Sequence, residues 1–265
     1  MNTATTETIT TTIDSTGVAT VTLNNPAQHN AFDDAIISRL SEIFSRIDNN
    51  DAIRVMVLAA NGKSFSAGAD LAWMKRMAAY NREQNLADAN ALASMLKTLN
   101  TLRKPTIARV QGAAFGGAVG LVSCCDIAIA SEHASFSLSE VKVGLIPATI
   151  SPYVIAAIGQ RAARRYFITG ERFDAGEAHR LGLVSQVVGS EAELDAVLTQ
   201  HIDQLLANSP QAVTAAKQLA FDMNAPISDA LIADSCQRIA DIRSSEQGQE
   251  GLNAFLEKRP PSWQH

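Results

Sequence analysis

The pattern of apolar and polar positions predicts a hairpin, a helix and a buried strand at the start of the chain. Apolar and polar residues alternate over 9–13 and 18–23, on either side of a short turn, as in two half-buried strands. A helix is predicted to begin near Asp33, because apolar residues then recur on one helical face: Ile36, Ile37, Leu40, Ile43, Phe44 and Ile47. The nearly all-apolar run 53–59 predicts a strand buried on both faces.

Strands and helices alternate up to about residue 190, which predicts an α/β layered domain. After a loop at 61–71, the predicted elements are a helix from Asp70, a helix at 83–102, strands at 106–110, 127–130 and 134–137, helices at 150–158, 162–169 and 175–181, and a strand at 183–188. We therefore divide the chain into a core, 1–190, and a C-terminal helical region, 191–265. The apolar surface of that region is covered either by another subunit or by the same core.

The composition is that of an ordinary globular protein, with 46% apolar residues, 18% charged residues and a net charge of −5 over 265 residues. This charge provides no broad basic surface for nucleic acid or an anionic membrane, although local cations could hold a phosphorylated ligand. No apolar run would span a bilayer and the threonine-rich N-terminus is unlike a secretory signal, so we expect a cytoplasmic protein. We expect no metal site, and expect Cys124, Cys125 and Cys236 to be buried.

A glycine-rich turn after the predicted strand 106–110 is the first candidate for chemistry. Gly112, Gly116, Gly117 and Gly120 lead into an apolar helix. Glycine allows positive φ and a close approach to a ligand, so N–H groups at the helix start can face an oxygen that develops negative charge. Alternatively, the glycines only let a helix pack tightly on a sheet.

Two acids near these glycine loops have different surroundings. Asp70 ends the loop S-A-G-A-D just before a helix, which is the position of an N-cap acid. Glu140 lies in the apolar segment F-S-L-S-E-V-K-V-G-L-I-P, where burial would raise its pKa and suit it to general acid/base catalysis. The alternative for Glu140 is a structural ion pair with Lys142 or Arg109.

Six short segments, in order along almost the whole chain, match one family together. They are N-N-P-x-x-x-N-A at 24–31, F-S-A-G-A-D-L at 65–71, V-Q-G-A-A-F-G-G-A at 110–118, C-D-I-A-I-A at 125–130, S-E-V-K-V-G-L-I-P at 139–147 and A-F-L-E-K-R at 254–259. Together they resemble the crotonase (enoyl-CoA hydratase/isomerase) superfamily. The resemblance implies a ββα spiral core with a C-terminal helical region that forms homotrimers, often as dimers of trimers. It also implies an acyl-CoA thioester substrate, so that coenzyme A is part of the substrate and no separate cofactor is expected.

The resemblance implies roles for individual residues. The backbone N–H groups of Ala69 and Gly117 fall on the family's oxyanion hole, which polarises the thioester carbonyl, and Glu140 falls on a catalytic acid. Lys258 matches a lysine that lies near the CoA of its own or a neighbouring subunit. The Ala67 carbonyl is expected to face the adenine. The residues expected to line the substrate are Ala27, His29, Ala67, Asp70, Leu71, Gly116 and Gly120.

Position 120 departs from the family's hydratases, which usually have a second glutamate there. Gly120 leaves Glu140 as the single acid, which is the pattern of many family isomerases. The segment 147–153, P-A-T-I-S-P-Y, also replaces the family's P-G-x-G-G-T-Q-R. Both features resemble bacterial 3-methylglutaconyl-CoA hydratases of leucine catabolism and their relatives in acyclic terpene catabolism, which act on isohexenylglutaconyl-CoA.

We therefore predict a hydro-lyase that adds water across the α,β double bond of a 3-substituted glutaconyl-CoA. The alternatives are a Δ3,Δ2-enoyl-CoA isomerase and a non-catalytic acyl-CoA-binding protein. In the hydratase, Glu140 would transfer the proton at Cα, while the substrate's distal carboxylate or a polar side chain would position water at Cβ. Lys75, Arg76 and Arg82 either bind that carboxylate or are solvated helix charges.

Overall fold

The computed structural model describes residues 7–264, which form two sheets. The strands are β1 Ile9–Ile13, β2 Val18–Leu23, β3 Val55–Ala60, β4 Ser64–Ser66, β5 Thr106–Val110, β6 Ala113–Phe115, β7 Ile127–Ser131, β8 Ser135–Ser137, β9 Arg172–Asp174 and β10 Gln186–Val188. The larger sheet has the order β1-β2-β3-β5-β7-β10 and is parallel except for the β1–β2 hairpin. The smaller sheet has the order β4-β6-β8-β9 and is parallel except at β9. The chain passes from the larger sheet to the smaller one three times, after β3, β5 and β7, and therefore winds as a spiral.

The central strand β3 is buried on both faces, as its all-apolar sequence predicts. Met56 and Leu58 point into one apolar cluster, while Val55 and Val57 point into a second cluster on the opposite face. All six residues of β3 are buried, so the strand carries no polar face. The predicted hairpin is also confirmed, because β1 and β2 pair antiparallel over their length.

Most of the smaller sheet is absent from the sequence prediction, which contains only β8. Each of its strands has three residues, too few for a period-two pattern to be recognised. Their apolar side chains nevertheless reach the core, where the rings of Phe136 and Phe173 stack with centroids 5.6 Å apart. The prediction of an uninterrupted loop over 61–71 is therefore wrong at β4, whose Phe65 is fully buried.

The helices form close to their predicted positions. Their bounds are α1 Asp34–Asp48, α2 Leu71–Met77, α3 Arg82–Asn100, α4 Gly117–Ser123, α5 Ser151–Thr169, α6 Ala175–Leu181, α7 Glu191–Leu206, α8 Pro210–Asp222, α9 Asp229–Ser244 and α10 Glu246–Glu257. Asp33 caps α1 by accepting a hydrogen bond from the Ile36 N–H at 2.9 Å. Gly159 interrupts α5 with φ 75° and ψ 155°, which explains why the sequence predicts two helices there.

The four C-terminal helices bury little of their own surface in one chain. The structure gives no buried residue in α8 or α9, and only one each in α7 and α10. An ion pair joins α8 to the core, with Lys217 Nζ 2.7 Å from Asp126 Oδ2. The start of α7 at Glu191 agrees with the proposed boundary, although a division into two units stays a prediction.

The cysteines occupy different environments. Cys124 is buried, Cys125 is half-buried and Cys236 is exposed on α9, so the prediction of a buried residue is wrong for Cys236. Burial raises the pKa of the Cys124 and Cys125 thiols. Over residues 7–264, no group of three His, Cys, Asp or Glu side chains is placed to hold a metal ion. In that same range no helix combines the length and apolar character needed to cross a membrane.

Candidate active site

The loop between β4 and α2 leaves the Ala69 N–H without a protein acceptor. The Phe32 N–H donates to the Gly68 carbonyl at 2.9 Å, and the Asp70 N–H donates to the Phe32 carbonyl at 3.1 Å. These bonds use the groups on either side of Ala69, whose own N–H has no acceptor within the described chain. Gly68 has φ 93°, and a Cβ there would lie 3.0 Å from the Phe115 carbonyl oxygen. A glycine therefore lets this loop lie against the end of β6.

The turn between β6 and α4 carries a second N–H at the start of a helix. Gly116 has φ 55° and donates its N–H to the Ser137 carbonyl at 2.8 Å, which fixes the turn to β8. Gly117 is the first residue of α4, so its N–H precedes the helix's own hydrogen bonds. A Cβ on Gly117 would lie 2.4 Å from Phe32 Cζ, so the two loops contact each other through Phe32.

Glu140 lies beside this turn with one carboxylate oxygen unpaired. It begins a 3₁₀ turn, Glu140–Val143, just after β8. Its Oε1 is 3.3 Å from the position of a Cβ on Gly116, and its Oε2 is buried without a hydrogen-bond partner among residues 7–264. Burial raises the pKa of this carboxyl group above its ordinary value. The carboxyl group can therefore hold a proton at higher pH than a solvated glutamate, which suits general acid/base catalysis.

The alternative interpretation of Glu140, a structural ion pair, is wrong for both of the proposed partners. Arg109 instead pairs with Asp195, with 2.7 Å between Nε and Oδ1. In the part of the chain that the structure describes, Glu140 forms no ion pair with Lys142 or any other cation.

The surroundings of Gly120 are apolar. Gly120 is buried in α4, and a Cβ there would lie 2.4 Å from Ile150 Cγ2 and 3.6 Å from Leu96 Cδ2. Ile150 is only 3% exposed, immediately before α5. The space in which a side chain at position 120 would begin is therefore filled by the isoleucine side chain.

The residues predicted to hold the nucleotide are only partly brought together. Ala27, His29 and Ala67 are exposed, and the Ala67 N–H donates to the His29 carbonyl at 2.9 Å. The His29 ring is anchored by a contact of 3.1 Å between Nδ1 and Ser64 Oγ. Lys258 is exposed at the end of α10 with φ 56°, and no hydrogen bond joins it to these three residues within 7–264. Its role stays a prediction.

Comparisons with known proteins find relatives that match this chain over nearly its whole length. The family model described as "Enoyl-CoA hydratase/isomerase" matches residues 14–265. The chain belongs to the enoyl-CoA hydratase/isomerase family. An enoyl-CoA hydratase from Shewanella pealeana has a crystal structure that superposes with a TM-score of 0.93 at 50% identity, covering 97% of this chain and 96% of that one. The 2,3-dehydroadipyl-CoA hydratase of Escherichia coli is 32% identical over 93% of this chain and 94% of that protein. The short-chain-enoyl-CoA hydratase of Clostridium acetobutylicum is 32% identical over 91% of this chain and 92% of that protein.

Family membership confirms the predicted fold and the predicted class of enzyme. The solved relatives share the two-sheet α/β core and C-terminal helices, and the named relatives are enoyl-CoA hydratases, which are hydro-lyases. The roles of individual residues are not decided by this membership, so they stay predictions.

The residues that follow the Ala69 loop have the structural roles expected on an enoyl-CoA hydratase/isomerase scaffold. Asp70 accepts hydrogen bonds from the Ala72 and Trp73 N–H groups at 2.8 and 3.0 Å, so the predicted cap is confirmed. Leu71 is 81% exposed at the start of α2. Arg76 pairs with Asp34 at 2.5 Å, which favours a solvated helix charge over a cation reserved for substrate.

Two residues that the sequence analysis does not single out hold the site of this family member together. Asn30 is buried; its side chain accepts from the Asn25 N–H at 2.8 Å and donates to the Asn61 and Ser64 carbonyls at 2.8 and 2.9 Å. Phe32 joins the two glycine loops. Both residues lie in or next to the segment 24–31, whose asparagines Asn24, Asn25 and Asn30 are the available signal for a buried polar side chain.

Proposed function

We propose that this enzyme hydrates the α,β double bond of a 3-substituted glutaconyl-CoA, such as 3-methylglutaconyl-CoA or isohexenylglutaconyl-CoA, in leucine or acyclic terpene catabolism. The observation that carries the proposal is the half-buried carboxyl group of Glu140, which lies beside the Gly116 turn at the start of α4 and whose Oε2 is buried without a hydrogen-bond partner among residues 7–264. The apolar atoms nearest a Cβ at Gly120 support this proposal, in which the substrate's own carboxylate takes the part of the second acid.

In this proposal, the Ala69 and Gly117 N–H groups bind the thioester oxygen. Both donors lie on short loops fixed by backbone hydrogen bonds, so they do not have to reorganise as negative charge develops on the oxygen. Removing one such donor costs about 3 kcal/mol of transition-state stabilisation in other enzymes. The polarised carbonyl makes Cβ electrophilic and stabilises the enolate that forms when oxygen adds there.

Glu140 then transfers the proton. Its raised pKa favours the protonated form, from which it delivers a proton to Cα as the oxygen of water bonds to Cβ. The proton released by that water returns to the carboxylate, so the enzyme ends the cycle in its starting state. One carboxyl group can carry out both transfers in turn, and its Oε1 lies beside the Gly116 turn.

The substrate's distal carboxylate is proposed to position the water. The two candidates for this task are a polar side chain and the substrate itself, and the atoms nearest a Cβ at position 120 are apolar, from Ile150 and Leu96. The relative named 2,3-dehydroadipyl-CoA hydratase supports the idea, because its substrate is by name an enoyl-CoA with a terminal carboxylate. CoA is part of the substrate here, with its nucleotide placed along the rim of Ala27, His29 and Ala67 and near Lys258.

A substrate comparison tests the proposed function. With 3-methylglutaconyl-CoA, the absorbance of the conjugated thioester is expected to fall as water adds to the double bond. The control is 2-butenoyl-CoA, which lacks a distal carboxylate, and we expect its kcat/KM to be lower by roughly 10²-fold or more. Equal values for the two substrates would contradict the role of the carboxylate.

An isomerase is the second candidate, favoured by the single carboxyl group of Glu140. The same assay separates the two activities, because a gain of conjugated absorbance from a 3-enoyl-CoA without hydration of the 2-enoyl-CoA indicates isomerisation. Tight binding of both thioesters with no absorbance change would indicate a non-catalytic binding protein.

We also propose that the C-terminal helices join subunits into a homotrimer or a dimer of trimers. Large apolar side chains on or next to α8, α9 and α10 are exposed in one chain: Leu219, Phe221, Ile227, Ile232, Ile239, Leu252, Phe255 and Leu256. Light scattering is expected to give a mass about three or six times the 28.2 kDa of one chain. A monomer mass at micromolar concentration would contradict the proposal.

A further inference from the structure

Phe32 contacts both of the loops that carry the proposed oxyanion donors. Its N–H and carbonyl bond to Gly68 and Asp70, the two neighbours of Ala69, at 2.9 and 3.1 Å. Its ring reaches the other loop, where a Cβ on Gly117 would lie 2.4 Å from Cζ and 3.0 Å from Cε2. One residue therefore touches the first donor loop through its backbone and the second through its ring.

We infer that Phe32 is a positioning residue that sets the separation of the Ala69 and Gly117 N–H groups. The inference rests on the proposed function, because it assigns a task to Phe32 only if both donors bind the thioester oxygen. Phe32 itself does not need to touch the substrate. Its ring acts as a spacer of fixed length between the two loops. The spacing matters because N–H donors stabilise the charge on the oxygen less when they move away from it by a fraction of a bond length.

The environment of Phe32 makes such a spacer rigid. The residue is 3% exposed, and residues on both sides of it are held: Asn30 by its buried hydrogen bonds and Asp33 by the cap of α1. Because the backbone is held on both sides of Phe32 and its ring is buried, the ring cannot move away to accommodate a shift of Gly117.

The glycine at 117 supports the same conclusion. Gly117 does not have positive φ, so its backbone conformation is open to any residue. What excludes a side chain there is the Phe32 ring, at 2.4 Å from the Cβ position. The Phe32 ring therefore occupies the space that a side chain at 117 would need and lies directly beside the Gly117 backbone.

The first experiment compares Phe32→Leu with Phe44→Leu. Leucine removes the far end of the ring without touching the backbone bonds, and Phe44 is a matched control, a fully buried phenylalanine on α1. For Phe32→Leu we expect kcat to fall about tenfold with KM little changed. We expect Phe44→Leu to lower the melting temperature by a similar amount but to keep the wild-type kcat. Equal kcat values for the two variants would overturn the inference.

A second readout reports the donors directly. A conjugated 2-enoyl-CoA absorbs at longer wavelength when its carbonyl is polarised, and on a Glu140→Gln background it is bound but not consumed. We expect Phe32→Leu to reduce this red shift and Phe44→Leu to leave it unchanged. An unchanged shift in Phe32→Leu would overturn the inference even if both variants lose stability.

A third variant pair remains informative if Phe32→Leu is poorly folded alone. Gly117→Ala places a methyl group against the Phe32 ring and should lower kcat by pushing the loops apart, about tenfold or more. Combining it with Phe32→Leu makes room for that methyl group, so the double variant should be more active than Gly117→Ala alone. Strictly additive losses would overturn the inference.

Failure of the inference and failure of the proposed function give different results. If the wild type hydrates a 2-enoyl-CoA and Phe32→Leu behaves like Phe44→Leu, only the role of Phe32 is wrong. If the wild type neither hydrates nor red-shifts any 2-enoyl-CoA, the oxyanion hole itself is wrong and the inference falls with it.

Discussion

Replacing Glu140 with glutamine is expected to lower kcat for hydration about 10³-fold while the affinity for the acyl-CoA changes by less than about twofold. Glutamine has nearly the same shape and can occupy the same space beside Gly116, but it neither gives nor takes a proton. Steady-state rates measure the loss, and calorimetry with the hydrated product measures binding. Glu42→Gln is a matched control, since Glu42 is an exposed acid on α1 that pairs with Arg39. Hydration near the wild-type rate in Glu140→Gln would contradict a single-acid mechanism.

The same variant is expected to be more stable than the wild type at high pH. Burial raises the folded-state pKa of Glu140, so the folded protein holds this proton more tightly than the unfolded chain does. The wild type therefore loses stability as pH rises from the ordinary glutamate value through the raised value, whereas Glu140→Gln does not. Urea unfolding at several pH values measures the difference. A gap between the two proteins that does not widen with pH would show that Glu140 has an ordinary pKa.

Sequence analysis finds Glu140 because the cause of its special property is local. An acid within an apolar run must either be paired or lose solvent, and the structure shows the second outcome, with a raised pKa and a free Oε2. The caps and the hairpin are predictable for the same reason. Asp33 and Asp70 bond to N–H groups two or three residues ahead, and the β1–β2 turn joins adjacent segments.

The features that the sequence analysis misses depend on contacts between distant segments. Nothing near Phe32 in the sequence shows that its ring meets Gly117, and nothing near Arg76 shows that its guanidinium meets Asp34. The three-residue strands of the smaller sheet form because neighbouring strands complete their hydrogen bonding. Three residues are too few to show the alternation of apolar and polar positions that predicts a strand.

The contact of Gly120 with Ile150 also joins distant segments, and in the proposed function it bears on substrate choice. The sequence shows separately that position 120 lacks an acid and that a glycine-rich family segment has become P-A-T-I-S-P-Y. The structure joins these two changes, because the Ile150 side chain occupies the space in which a residue larger than glycine at 120 would begin. In the family segment P-G-x-G-G-T-Q-R, the residue at the place of Ile150 is glycine, which has no side chain to fill this space.

Gly120→Glu alone is accordingly expected to destabilise the protein by more than about 3 kcal/mol. Its Cβ would lie 2.4 Å from Ile150 Cγ2, and its carboxylate would enter surroundings formed by Ile150 and Leu96 without a partner. Urea unfolding of the variant beside the wild type measures the loss. A stable Gly120→Glu protein would show that Ile150 moves aside easily and does not exclude an acid.

Adding Ile150→Gly to Gly120→Glu is expected to recover much of that stability and to change the substrate range. Glycine removes both the Cγ2 at 2.4 Å and the Cβ at 2.9 Å, so the new glutamate can enter the site and accept a proton from water. Hydration of 2-butenoyl-CoA should then rise by about tenfold or more over the wild type, because an enzyme carboxylate replaces the one this substrate lacks. Ile150→Gly alone is the control and should open a cavity without that gain. If the control gains the same activity, Ile150 limits the site only by its size, and the distal carboxylate does not position water.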